Sequence, residues 1–164
     1  MEKTPKSFYR IRFSDCDLLG HLNNARYIDY LLNAREDHLR DHYNMDLRDF
    51  YKQGASWVVG SHEILYRKPA LYNELVCISS TLIKVTPDFL LVELIMTDEQ
   101  EQQMKSICWT SFIPVSVKTG KKENHTEAFL EFATALENTS VNIGEGIRAR
   151  EASLRALKGS VSAS

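Results

Sequence analysis

Apolar and polar side chains alternate at the start of the chain. In "SFYRIRFS", the apolar residues Tyr9, Ile11 and Phe13 occupy every second position, and Arg10 and Arg12 lie between them. Successive side chains of a β-strand point to opposite faces, so this period of two predicts a strand with one apolar face. We expect that face, Phe13 included, to lie against the core.

A helical spacing follows between residues 25 and 43. Arg35 is the one polar residue in an apolar stripe that otherwise consists of Ile28, Leu31, Leu32, Leu39 and Tyr43. Apolar residues that recur every three to four positions share one face of a helix. Asn23 or Asn24 is the expected N-cap, because an Asn side-chain oxygen can accept a hydrogen bond from a first-turn amide. The pattern predicts one helix of about five turns.

Four strand-like segments come after this helix: "SWVVGSHEILYRK", "ELVCISSTLIKV", "FLLVELIMTD" and "QQMKSICWTSFIPVSV". The connections between them are short and polar, which favours antiparallel neighbours. A strand, a long helix and then four strands predict an α+β fold, in which one antiparallel sheet carries the long helix on its concave side.

The remaining segments set the expected organisation of the chain. Residues 1–140 form one predicted domain, which includes an amphipathic helix in "HTEAFLEFATALE", and residues 141–164 are an extension expected to be partly helical or frayed. Near-continuous apolar stretches in two of the strands predict apolar surface beyond what one helix covers. A second subunit on the other face or at an edge would cover it, and so would the later helices. We expect a homodimer or homotetramer.

Composition and charge exclude several classes of protein. The 164 residues fit one domain, and a formal net charge of -2 gives no global reason to expect a nucleic acid as partner. Cys16, Cys77 and Cys108 are too few and too widely spaced for a disulfide framework. The start, "MEKTPKSFYRIRF", lacks the apolar core of a signal peptide, and no run has the length of a membrane span. We expect a cytoplasmic protein.

Candidate chemistry is concentrated in "SDCDLLGHLNNARY", residues 14–27, at the start of the predicted helix. A calcium loop that begins at Asp15 needs oxygen ligands at its fifth and twelfth positions, where Leu19 and Arg26 stand. Cys16 and the nearby histidines lack the spacings typical of zinc sites. We expect no metal site.

A serine or cysteine nucleophile is not indicated either. The strings "GASWV" and "VGSHE" lack the second glycine of a nucleophile elbow. Negative charge on the two flanking aspartates should raise the pKa of the Cys16 thiol and suppress its thiolate, so we interpret Cys16 as a packing residue.

Two interpretations of the loop remain open on the residues alone. A carboxylate beside a helix N-terminus can attack a carbonyl carbon or deprotonate a water, while the free first-turn amides bind the oxygen that gains negative charge. Such an acyl-transfer site needs no cofactor. Alternatively, the Asp and Asn residues form a turn and a cap, and Gly20 supplies a positive φ.

The string "FSDCDLLGHLNNARYIDYLLNAR" resembles the signature of the 4-hydroxybenzoyl-CoA thioesterase-like branch of the hotdog-fold superfamily, D-x-D-x-x-G-H-x-N-N-x-x-Y. The resemblance extends over residues 7–117 and includes the strand–helix–four-strand order. It implies an antiparallel sheet wrapped around one long central helix and subunits that pair edge to edge. It also implies acyl-CoA thioesters bound at the dimer interface.

The resemblance further implies roles for the loop residues. The catalytic carboxylate of the family matches Asp17, as nucleophile or general base, and the oxyanion donor matches the backbone amide of Asn24. Gly20 and His21 match the loop that closes over the thioester, and we interpret His21 either as an orienting donor or as a capping or packing residue. Asp15 is expected to fix the loop through backbone amides.

Other residues are expected around the substrate. Asn23 caps the helix and, as a second choice, contacts substrate. Arg67 and Lys68 lie at a strand end, where they are either solvated charges or ligands of the nucleotide phosphates of CoA. Walls of the acyl pocket are expected from both subunits and include Tyr27, Trp57 and Val59.

Together these observations predict a homo-oligomeric acyl-CoA thioesterase that releases a carboxylic acid and free CoA. Two alternatives stay open. One is a non-catalytic protein of the same fold that binds acyl thioesters or lipids, and the other is a thioesterase that acts on acyl carrier protein. The identity and length of the acyl chain are not specified by these residues.

Overall fold

The computed structural model describes residues 1–162, with side chains to residue 159. Within this part of the chain, one antiparallel sheet has the order β1-β3-β4-β5-β2. Its strands are β1 (Lys6–Arg10), β2 (Ala55–Tyr66), β3 (Leu75–Thr86), β4 (Phe89–Asp98) and β5 (Met104–Ser116). The predicted strands are confirmed, and β2 lies at an edge of the sheet beside β5.

The long helix α1 (Tyr27–Tyr43) packs against β1, β3 and β4. A 3-10 turn, Asn24–Arg26, precedes it, and the side-chain oxygen of Asn23 caps this turn by accepting a hydrogen bond from the Ala25 amide at 3.0 Å. The helix ends at Asn44, which is left-handed with φ 51°. The predicted cap and the predicted α+β arrangement of one long helix on an antiparallel sheet are confirmed.

Two shorter helices lie elsewhere in the chain, one before β2 and the other after β5. Helix α2 (Leu47–Lys52) was not predicted from the apolar pattern, and Asp46 caps it by accepting a hydrogen bond from the Arg48 amide at 2.9 Å. Helix α3 (Glu127–Leu136) matches the predicted amphipathic segment, and its buried residues join the core that α1 forms with the sheet.

The outer face of the sheet is covered by the C-terminal part of the same chain. Because side chains alternate along β4, Leu94 belongs to the core under α1 whereas Ile95 belongs to a second cluster on the opposite face. Val141 and Ile147 pack into that second cluster, where helix α4 (Ile147–Ser162) begins. The apolar strand surface on this face is therefore covered within one chain. Of the two expected ways to cover it, a second subunit or the later helices, the structure has the helices. Residues 163–164 of the extension, expected to fray, lie outside the described residues.

The first strand is shorter than predicted. It ends at Arg10, and Phe13–Asp15 form a 3-10 turn. Phe13 is 78% exposed and meets the ring of Tyr72 edge-on, with ring centroids 5.9 Å apart. The prediction that Phe13 lies on the core face is therefore wrong. The strand alternation stops because the Arg12 amide donates to the Tyr30 hydroxyl, at 3.0 Å, instead of to a neighbouring strand.

No helix in the described residues is long and apolar enough to cross a bilayer.

Candidate active site

The carboxylate of Asp17 lies in a tight loop between β1 and α1. Its Oδ1 atom accepts hydrogen bonds from the amides of Leu19, at 2.9 Å, and His21, at 3.1 Å. The other oxygen, Oδ2, accepts no hydrogen bond from residues 1–162, and the side chain is exposed. One carboxylate oxygen is therefore fixed in place while the other is available to a substrate or a water.

Local chemistry explains why the chain turns here. An Asp side chain that accepts hydrogen bonds from amides a few residues later mimics a backbone turn. Gly20 has φ +73°, which costs a glycine little because it carries no Cβ. The loop is anchored from outside, because the Tyr72 amide donates to the Gly20 carbonyl and the Leu22 amide donates to the Ala70 carbonyl, each at 2.8 Å.

A short antiparallel pairing brings the loop close to the start of α1. The Asp17 amide donates to the His21 carbonyl at 2.8 Å, Cys16 pairs with Leu22, and the Asn23 amide donates to the Asp15 carbonyl at 2.9 Å. Along the backbone, Asp17 is thus two residues, roughly 7 Å, from the Asp15–Asn23 pair, and Asn23 is the helix cap.

The amide of Asn24 is an unpaired donor at this helix start. It has no acceptor among the described residues, whereas the Asn24 carbonyl accepts a hydrogen bond from the Tyr66 hydroxyl at 2.9 Å. Free first-turn amides carry partial positive charge and favour an anionic oxygen. The segment from Asp17 to Asn24 therefore contains both a half-free carboxylate and an unpaired donor at the helix start.

Asp15 stabilises the loop in a different way from the one expected. Its carboxylate accepts a hydrogen bond from the Tyr30 hydroxyl at 2.7 Å rather than from backbone amides, so the expected partner was wrong. Burial, followed by the hydrogen bond to Asp15, raises the pKa of Tyr30 to about 12, so the phenol stays a donor. Tyr30 lies in the first turn of α1 and links the loop to the helix.

Cys16 behaves as predicted. Burial, followed by the charges of Asp15 and Asp17, raises the pKa of its thiol. Its sulfur donates to the Arg12 carbonyl at 3.4 Å. Across residues 1–162, no three His, Cys, Asp or Glu side chains are grouped as a metal site.

Tyr27 joins the helix start to the turn after β2. It is buried in the core, and its hydroxyl accepts a hydrogen bond from the Ala70 amide at 3.1 Å. Its ring meets that of Tyr66 edge-on, with centroids 5.0 Å apart. Tyr27 and Tyr66 therefore hold the helix start against the end of β2.

Trp57 and Val59 lie away from the loop of their own chain. Tyr66, at the end of β2, reaches Asn24, but Trp57 lies nine residues earlier, roughly 30 Å along an extended strand. Trp57 instead packs against Phe129 of α3, and Val59 is exposed on the edge of the sheet. One subunit does not bring these two residues to Asp17.

Of the two predicted cations, one is engaged within the chain. The Arg67 guanidinium forms an ion pair with Glu151 of α4, whose side chain is buried. Lys68 is exposed beyond the end of β2. The sequence did not indicate that Arg67 pairs with a residue 84 positions away.

An exposed apolar surface surrounds the loop, and sequence reasoning missed it. Leu18 and Leu19 at the loop tip are exposed, as are Leu71 and Tyr72 in the turn that anchors the loop. Exposed apolar patches of this kind mark binding surfaces. The two adjacent leucines in an otherwise polar loop could have indicated this surface in the sequence.

The sequence of the chain is similar to those of known thioesterases. Residues 11–136 match the family model described as the Thioesterase-like superfamily. The long-chain acyl-CoA thioesterase FadM of Escherichia coli (strain K12) is 29% identical over 112 residues, which cover 68% of this chain and 83% of FadM.

Two solved structures show the same fold. The probable thioesterase YbaW from Escherichia coli has a TM-score of 0.68 at 26% identity and covers 80% of this chain and 96% of its own. DHNA-CoA thioesterase from Staphylococcus aureus has a TM-score of 0.73 at 18% identity and covers 80% of this chain and 89% of its own. The predicted hotdog fold is confirmed.

Proposed function

The chain belongs to the thioesterase-like superfamily and is a thioester hydrolase, and from this premise we propose that it cleaves acyl-CoA thioesters to a carboxylic acid and free CoA. The observation that carries the proposal is the presence, in one loop, of a half-free Asp17 carboxylate and an unpaired amide at Asn24. FadM, a long-chain acyl-CoA thioesterase, supports the substrate class.

In the proposed mechanism the substrate carbonyl lies between these two groups. The Asn24 amide donates a hydrogen bond to the carbonyl oxygen, which becomes negative as the carbon is attacked. Asp17 acts in one of two ways from the same position. As nucleophile, its Oδ2 bonds to the acyl carbon, CoA leaves as the thiolate, and water then cleaves the mixed anhydride. As general base, Oδ2 takes a proton from the water that attacks the carbon.

The proposed roles of the other loop residues are to position Asp17. Gly20 permits the turn, and the backbone amide of His21 fixes the reacting carboxylate by its hydrogen bond to Oδ1. Asn23 stabilises the helix start as its cap. Each of these residues acts through Asp17 or Asn24 and not on the acyl group.

We further propose a homodimer that pairs through the edge of β2. This edge strand has 12 residues and is largely exposed along its length. Long exposed edge strands pair readily with another chain. Antiparallel pairing about a two-fold axis at the middle of β2 places the partner's first half of β2 beside Tyr66. Trp57 and Val59 of one subunit then border the loop of the other, so the pocket is built from both subunits.

Lys68 is the proposed cation for the CoA phosphates. It is exposed at the same end of β2 as Asn24, because the Tyr66 hydroxyl reaches the Asn24 carbonyl. Arg67, already paired with Glu151, serves to dock α4. Cys16, Cys77 and Cys108 are all unpaired, which suits the cytoplasm as the compartment.

The test is a panel of acyl-CoAs assayed for thiol release, with binding of each thioester measured by calorimetry in parallel. We expect turnover of at least one member, with Michaelis constants that follow the measured affinities. Protein without substrate is the control, because its own thiols react with thiol reagents. Stoichiometric binding without thiol release would instead favour a non-catalytic binding protein, and turnover of acyl carrier protein thioesters alone would favour that partner.

A further inference from the structure

Arg35 is a buried cation in the apolar face of the central helix. It lies on α1 with 8% of its surface exposed, among apolar residues that pack on the sheet. It is the residue that interrupts the apolar stripe in the sequence. A guanidinium keeps its charge at neutral pH, so burial there needs a compensating group.

The described residues supply no negative charge beside this guanidinium. Among residues 1–162, no carboxylate oxygen lies within 4.0 Å of the Arg35 guanidinium. It donates one hydrogen bond, from Nη1 to the Ser80 hydroxyl at 2.9 Å, and its carbon Cζ lies 5.9 Å from the ring centroid of Tyr43. Burial lowers the pKa of Arg35, and Tyr43 opposes that shift. Both partners are neutral groups.

A chain of hydrogen bonds leads from Ser80 toward the surface. Ser7 gives its proton to Tyr9 and so accepts from Nε2 of His38. This leaves Nδ1 of the neutral ring to accept the Ser80 proton, at 2.7 Å. His38 then donates through Nε2 to Ser7 at 2.8 Å. Ser7 donates to Tyr9 at 2.9 Å, and Tyr9 donates to Asp37 at 2.6 Å. Each polar proton of these four neutral side chains is thus donated to the next group. They separate the Asp37 carboxylate, at the end of the series, from the guanidinium.

Arg35 also lines a cavity. The space, about 250 Å³, lies between α1, the sheet and α3, close to the lower end of the range for small-molecule pockets. Its other walls are mainly apolar and include Leu39, Val92, Phe112, Phe132, Ala133 and Leu136. Glu36 also lines it, but Glu36 is exposed and its carboxylate lies 3.7 Å from the Arg40 guanidinium. The cavity thus combines an uncompensated cation with apolar walls.

We propose that this cavity binds a carboxylate with an aliphatic tail, with the carboxylate on Arg35 and the tail between α1 and α3. The carboxylate supplies the missing counter-charge by charge-assisted hydrogen bonds, and the tail fills apolar space. Trp57 lines the cavity, so within one subunit the site is at the opposite end of β2 from the Asp17 loop.

Two molecules carry this chemistry. One is a free fatty acid, and the other is an acyl thioester whose chain ends in a second carboxylate, which reaches the cavity from the partner's loop in the proposed dimer. The second source rests on the proposed function, whereas the first does not.

Calorimetric titration of the full chain with decanoate tests the site. We expect one decanoate per chain and roughly ten- to hundred-fold weaker binding by Arg35→Met, the range for loss of a charged hydrogen bond. Wild-type protein should bind 1-decanol, which has the same tail without the charge, more weakly by a similar factor. Arg40→Met, an exposed cation on the same helix, is the matched control and should bind decanoate like wild type.

Two further variants are titrated with decanoate in the same way. Ala133→Trp fills the cavity and should abolish decanoate binding even if Arg35→Met does not fold. Asp17→Asn should bind decanoate normally, so loss of hydrolysis and loss of this site are separable. Absence of decanoate binding, or equal binding of decanoate and decanol by wild type, would overturn the proposal.

Hydrolysis distinguishes the two sources. If wild type prefers the mono-CoA thioester of decanedioate over decanoyl-CoA, and Arg35→Met removes that preference, the bound carboxylate is the end of the substrate. If the two thioesters are hydrolysed alike while decanoate binding depends on Arg35, the ligand is the free acid.

Discussion

Asp17 and His21 are joined by two backbone-mediated hydrogen bonds. The amide of Asp17 donates to the carbonyl of His21 at 2.8 Å, and the amide of His21 donates to the carboxylate of Asp17 at 3.1 Å. His21 was expected to act as an orienting donor, and its backbone amide holds the Asp17 carboxylate without the imidazole. Accordingly, the loop conformation should matter more for activity than the ring of His21.

A substitution at Gly20 tests the importance of this conformation. Gly20→Ala should cost about 1–2 kcal/mol of stability, because alanine is strained at φ +73°. The Cβ meets no atom within 4 Å, so the fold should persist while the carboxylate is displaced and kcat falls. Gly54→Ala is the matched control, since φ is +87° there, its Cβ is also unobstructed, and the residue lies beside β2 rather than in the loop. Thiol-release kinetics and urea unfolding measure both effects. Equal kcat in the two variants would argue against a positioned loop.

The proposed dimer predicts a specific response at the sheet edge. Val59→Lys places a charge on the exposed edge of β2 and should convert dimers to monomers. Leu157→Lys, at an exposed position of α4, should leave the assembly unchanged. Sedimentation velocity distinguishes the two. A Val59→Lys protein that sediments like wild type would exclude this edge as the interface.

Acid should destabilise the protein through His38. Burial, followed by the charge of Arg35, lowers the pKa of His38 to about 4. The unfolded chain, with a histidine pKa of about 6.5, therefore binds more protons than the folded chain between these values. The free energy of unfolding should fall as the pH drops from about 6.5 to about 4, by up to roughly 3 kcal/mol.

Urea unfolding at pH 7 and pH 5 measures this effect. His38→Gln should reduce the difference between the two pH values. His42→Gln changes an exposed histidine on the same helix whose charge adds to the lowering of the His38 pKa, so it should reduce the difference less than His38→Gln does. An unchanged pH dependence in His38→Gln would assign the acid sensitivity to other groups.

The contact between α4 and the sheet depends on Arg150 and Glu93. Arg150 donates from Nε and Nη2 to the two carboxylate oxygens of Glu93, each at 3.0 Å, and Glu93 is 3% exposed. Arg150→Ala leaves a buried charge with Trp109 as its remaining donor and should cost about 3–5 kcal/mol.

Arg148→Ala, at an exposed site two residues earlier, is the control for this prediction and should change stability little. The double variant Arg150→Met with Glu93→Met should recover most of the lost stability, because no buried charge is left uncompensated. Denaturant unfolding measures all three. Equal stability of Arg150→Ala and wild type would show that the Arg150–Glu93 ion pair does not hold α4 on the sheet.

Most of the fold could be predicted because its signals are local. The period-two alternation predicted the strands, the helical stripe predicted α1, and the capping role of Asn23 follows from its side chain and position. The two aspartates and Gly20 predicted a tight loop for the same reason, since an Asp side chain bonds to amides a few residues away.

The features that could not be predicted depend on distant parts of the chain. Helix α2 has six residues, too few for a periodic pattern. The ion pair of Arg67 with Glu151 and the position of Trp57 at the far end of β2 arise from tertiary packing. Arg35 was visible as an interruption of the stripe, but its burial without a carboxylate could be recognised only in three dimensions.

Thiol release from an acyl-CoA by Asp17→Asn, compared with Asp29→Asn, decides whether Asp17 is the catalytic carboxylate. Asp29 is an exposed carboxylate in the first turn of α1 that pairs with Arg26 at 3.3 Å, so it controls for the loss of charge near the helix start. With matched unfolding curves, Asp17→Asn should lose at least about a hundredfold in kcat while Asp29→Asn stays near wild type. Turnover by folded Asp17→Asn at the wild-type rate would contradict the mechanism.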